Sequence, residues 1–183
     1  MNAKFFSLIG LFLVVIAIGS CKKEDALAFD YHGNDLYLVL KPDSAKPTTY
    51  QSRGAVYFNA DSMAKANNFP LEAVQSIRLD GIRFTLMDST TGVTFDLIKN
   101  MSVNLATTSG GTGEVLFQNS NFAKKTAGTI GITGIDKDVK TIVSTNKYFW
   151  LDVSGELTDT LTRAVNIKTF FTYKVDMKGT KLD

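Results

Sequence analysis

The sequence predicts an all-β fold: an antiparallel β-sandwich of about eight strands with one or two short helices, following an N-terminal signal peptide. Three observations carry this. Short runs of alternating apolar and polar residues recur between turn-forming clusters, as in antiparallel strands with one buried face. No helical pattern long enough for a crossover links successive runs, which argues against a parallel α/β sheet. The run 165–177 places Val165, Ile167, Phe171, Tyr173, Val175 and Met177 on one face and Asn166, Lys168, Thr172, Lys174 and Asp176 on the other, with Phe170 as the exception.

The elements follow in chain order. Lys4 gives the N-terminus a positive charge, and residues 5–18 carry none. This run suits a signal-peptide core and is short of the roughly 20 residues that a membrane span needs. Gly19 and Ser20 are small, as a peptidase site requires. The sequence Ile18-Gly19-Ser20-Cys21 resembles the lipobox of bacterial lipoproteins. That resemblance implies cleavage before Cys21, a lipid on its sulfur and the membrane as a partner. Several acyl chains on one residue hold firmly where one chain does not. Cys21 is the sole cysteine, so it has no intrachain disulfide partner. Lys22, Lys23, Glu24 and Asp25 resemble the charged export signal of surface lipoproteins in Bacteroidota, which implies an outer-membrane location at the cell surface or on the periplasmic face. The expected organisation is a signal peptide over 1–20, a lipidated cysteine with a short charged tether over 21–26, and one sandwich domain over 27–183.

Within that domain, 27–31 and 36–40 read as strands with a Gly33-Asn34-Asp35 turn between them. Residues 41–50 form a loop and 54–59 a strand. Asp61 suits the cap of a short helix over 62–67. The longest β signal is 74–87. Its period of two slips by one at Gly81, which predicts a bulge there. Residues 93–95, 103–105, 115–117 and 129–133 are further strands, with 109–113 as a flexible turn. A second short helix is expected over 136–143, with Asp136 as its cap. Long strands over 148–157 and 165–177 close the chain, joined by 158–163.

Composition and motifs exclude several kinds of chemistry. After residue 20 there remain 163 residues with 19 basic and 18 acidic side chains, a balance that does not suggest a nucleic-acid partner. His32 is the only histidine, so a catalytic triad or a zinc site lacks its ligands and partners. Asp136 and Asp138 lack the glycine and glutamate of a calcium loop. Gly110-Gly111-Thr112-Gly113-Glu114 lacks the lysine and helix of a phosphate-binding loop. No pair among the acids is singled out for glycoside hydrolysis. The sequence therefore assigns no catalytic, cofactor or metal residue.

Two features suit a binding protein. If the last two strands pair, Trp150 and Phe170 share an outward face on which a sugar or a protein partner can stack; a second layer covering that face is the structural alternative. The tripeptides at Asp43-Ser44, Asp61-Ser62, Asp88-Ser89 and Asp159-Thr160 resemble the O-glycosylation acceptor of Bacteroidota, which marks Ser44, Ser62, Ser89 and Thr160 as candidate acceptors. Asp-Ser pairs also favour turns and caps. Beyond residues 18–25, strand rhythm and two short helices resemble the small β-sandwich lipoproteins of Bacteroidota without assigned activity. The expected function is a membrane-anchored, non-enzymatic binding or structural module of the cell envelope, with a glycan or another envelope protein as partner. The alternatives are a carboxylate-dependent hydrolase and a carrier of an apolar ligand between the sheets.

Overall fold

The computed structural model describes residues 24–42, 48–87, 94–119, 128–160 and 164–182. The expected signal peptide over 1–20, Cys21, Lys22, Lys23, Ser44 and Ser89 lie outside these residues. The described chain runs through β1 (Asp25–His32), β2 (Leu36–Pro42), β3 (Thr49–Tyr57), α1 (Ala60–Ala66), β4 (Val74–Leu86), β5 (Met101–Ala106), β6 (Glu114–Asn119), β7 (Thr129–Asp138), α2 (Lys140–Asn146), β8 (Tyr148–Glu156) and β9 (Val165–Gly179). All pairings are antiparallel.

Two sheets form the sandwich. In the first, β4 lies between β7 and β9, and the far edge of β9 pairs with β1 and then β2. In the second, the order is β6-β5-β8-β3. The end of β2 crosses from one sheet to the other, pairing Lys41 with Gln51 and Pro42 with Tyr50. The outer edges, β6 and β7, meet through a Lys137–Glu114 ion pair at 2.5 Å. The sandwich is thus close to a barrel.

Alternation accounts for the core. Every second residue of β9 from Val165 to Met177 is buried. Phe149 of β8 meets Phe171 of β9 edge-on across the sheets, at 6.4 Å between ring centres. Phe58, Phe69, Phe84 and Phe95 fill the same interior. The bulge expected at Gly81 is present, with a register shift between Leu79 and Gly81 against both neighbouring strands.

Several expectations are corrected. Residues 33–35 do not reverse the chain. β1 and β2 run end to end along β9, with His32 opposite Thr172 and Leu36 opposite Thr169. Three residues therefore face two, and the chain kinks without turning. Gly33 is needed there, because a Cβ would come within 2.6 Å of the Tyr173 ring. β8 and β9 do not pair: β8 lies between β3 and β5, whereas β9 lies between β4 and the β1–β2 strand. Phe95–Leu97, where the end of a strand was expected, is a 3₁₀ turn that buries Phe95. Helix α1 starts earlier than expected and is capped by Asn59, whose side chain accepts the Ser62 N–H. Asp61 instead pairs with Lys65 at 2.8 Å. Asp136 lies in β7, and Asp138 accepts the Lys140 N–H at the start of α2.

Candidate functional site

The outward face of the first sheet can be read row by row from its register. Near the end of β1, Asp30, Lys174, Arg78 and Asp138 stand side by side. The next row is His32, Thr172, Gly81 and Thr133. Beyond it come Phe170, Arg83 and Gly131, and then Tyr37, Lys168, Thr85 and Thr129. The two middle rows contain Gly81 and Gly131, so the sheet has no side chain at those points. The result is an open groove of about 530 Å³, bordered by His32 and Asp35 on one side and Thr133 on the other. Four strands at sheet spacing make it about 14 Å across. Its volume falls in the range of small-ligand sites.

Charge is distributed unevenly on this face. Arg78 pairs with Asp136, Lys174 with Asp80 at 2.8 Å, and Lys168 with Asp35 at 2.7 Å. Hydrogen bonding to Arg78 holds the Asp136 carboxyl below its usual range, and hydrogen bonding to Asp35 raises the Lys168 ammonium. Arg83 has no carboxylate partner among the described residues. Its guanidinium carbon lies 4.5 Å from the centre of the Phe170 ring, and Lys168 Nζ lies 4.7 Å from the same centre. Phe170, the exception in the alternation of its strand, thus forms a half-buried apolar seat for two cations.

Trp150 belongs to the outer face of the other sheet, so it and Phe170 do not form one platform. Its aromatic neighbours are Tyr148, at 6.4 Å between ring centres, and through it Tyr57, a further 5.8 Å on. Beside this strip Arg53 donates to both oxygens of the buried Asp152 and to the carbonyls of Ser109 and Gly111, which folds the turn between β5 and β6 over β8.

The other sequence candidates are dispersed. Glu24 and Asp25 stand at the start of β1 and pair with Lys178 at 3.3 Å and Lys181 at 3.8 Å. Ser62 is exposed on the first turn of α1 and Thr160 is exposed after β8. No group of three or more His, Cys, Asp or Glu side chains among the described residues is placed to hold a metal ion. The void lined by Leu40, Leu86, Phe95 and Leu157 holds about 10 Å³, at most the room of one water. Arg83 and Gly131 were missed by sequence reasoning. The available signal was a glycine alternating with the buried Ile130 and Ile132, which places Gly131 on the outer face.

No family model matches the chain, and no curated protein matches it. Among solved structures, one similar chain is described as "Crystal structure of 60-mer BFDV Capsid Protein". It has a TM-score of 0.39 and 8% identity, over 90% of this chain and 98% of that one.

Proposed function

We propose that this chain is a lipoprotein of the outer membrane, anchored through Cys21, whose sandwich is a non-enzymatic binding module of the cell envelope. The glycine-floored groove on the first sheet carries the binding part of this reading. It gathers a cation with no carboxylate partner among the described residues, an aromatic ring and two threonine hydroxyls in an open trough. The lipobox resemblance supports the anchor. Strand β1 starts at Asp25, so a lipid on Cys21 holds the domain close to the bilayer. The exposed Ser62 and Thr160 are the described candidates for O-glycosylation.

The anchor is tested by radiolabelled palmitate and by phase partitioning. Wild type enters the detergent phase with label, and Cys21→Ser does neither. A wild-type protein that stays unlabelled and aqueous removes the lipoprotein reading. Binding is tested on a glycan array and by pull-down from intact cells. Silence in both overturns the binding module.

A further inference from the structure

The chemistry of the groove specifies its ligand further. Arg83 rests on the Phe170 ring, with its guanidinium carbon 4.5 Å from the ring centre. Stacking of this kind holds the planar group in place and leaves its N–H edge to donate. A guanidinium matches a carboxylate in shape as well as charge, because two parallel N–H groups meet two oxygens. The other cations of this face already have carboxylates: Arg78 has Asp136, Lys168 has Asp35 and Lys174 has Asp80. Among the described residues, Arg83 alone of these cations leaves the groove with an unmatched positive charge.

The remaining walls select what bears that carboxylate. Thr133, Thr172 and His32 line the trough, offering hydroxyls and an imidazole to hydroxyl groups of a ligand. The Phe170 ring and the glycines Gly81 and Gly131 lie along its floor. The trough is open and crosses four strands, which suits an extended polar chain better than an enclosed apolar molecule. We infer that the groove binds an acidic saccharide, with a sugar carboxylate on Arg83 and the sugar rings lying over the glycine floor beside Phe170. This inference rests on the binding-module reading above and adds the class of ligand.

Gly131 provides a blocking variant that spares the fold. A Cβ there meets nothing within 4 Å, and valine suits a strand. The experiment is calorimetric titration of the full-length protein in detergent with a panel of carboxylated oligosaccharides: galacturonate, alginate and hyaluronan oligomers. Neutral cello- and malto-oligosaccharides and sodium acetate serve as controls. The expected result is binding of at least one acidic oligosaccharide, weakened by salt. Arg83→Gln should lose about tenfold or more, the size of a charge-assisted bidentate contact. Gly131→Val should abolish binding while melting like wild type. Neutral sugars and acetate should bind at least about tenfold more weakly. Absence of binding to every acidic oligosaccharide overturns the inference, as does an Arg83→Gln variant that binds like wild type. Neutral sugars that bind equally well and are blocked by Gly131→Val overturn the acidic class while leaving the binding module standing. Silence on the array and in the pull-down overturns both.

Discussion

Arg53 grips Asp152 with two N–H groups and the β5–β6 turn with the rest of its guanidinium, so one side chain ties two strands of the second sheet, β3 and β8, to the loop that covers them. Asp152 is buried on what would otherwise be an open sheet face. Its charge needs this partner, because a buried carboxylate without one is costly. Replacing Arg53 with Gln should raise amide exchange at Ser109–Gly111 and lower the melting temperature by several degrees. Lysine should rescue only in part, since it lacks the fork. Hydrogen exchange by mass spectrometry reads this directly. Unchanged protection in Arg53→Gln would show that the turn is held by other contacts.

Glycines of this chain should divide sharply by position. At Gly155 a Cβ would strike the Asn100 carbonyl oxygen and come within 2.8 Å of the Tyr50 hydroxyl, which itself donates to that carbonyl. Gly155→Ala should therefore cost about 1–3 kcal/mol in urea unfolding, as overpacked sites do. Gly131→Val should stay within about 0.5 kcal/mol of wild type, like other surface changes. Equal stabilities for the two variants would contradict the packing around Tyr50.

Stability should fall on the acid side for identifiable reasons. Hydrogen bonding to Arg78 lowers the Asp136 carboxyl, and hydrogen bonding to Lys99 lowers that of Glu156. The folded values lie below the unfolded ones, so each group stabilises the fold above the ordinary carboxylate range, about pH 4. That contribution is lost as pH falls through the folded values. Both groups are exposed, so each effect is small. Asp136→Asn should lower the urea midpoint at pH 7 and flatten its decline below pH 5. A decline as steep as that of wild type would remove Asp136 as a cause.

Most strands and the central irregularity were legible in the sequence. Ile77, Leu79, Ile82 and Phe84 record the slip at Gly81 because each residue of a strand must choose a face. Partnership was not legible. Nothing in 148–157 or 165–177 states that these successive strands enter different sheets, since alternation specifies faces and not neighbours. The helix cap was misplaced for a local reason, as Asn59 and Asp61 both suit that role and Asp61 is drawn to Lys65 one turn on. The groove was invisible for a deeper reason. Gly131, Arg83 and Phe170 become neighbours only through two strand registers. Phe170 was noticed as an anomaly, but its partners lie 39 and 87 residues away in the chain.

The place of β9 in the first sheet sets the timing of folding. It is the last of the described strands to be synthesised, yet it carries β4 on one edge and β1 and β2 on the other. Before residues 165–179 leave the ribosome, β1 and β4 have no strand between them to join. The first sheet is therefore completed only after most of the chain has been made, by contacts that span nearly its whole length. Such long-range closure is slow. Until β9 arrives, the edges of β1 and β4 stay unpaired, and unpaired strand edges are the surfaces on which folding chains aggregate.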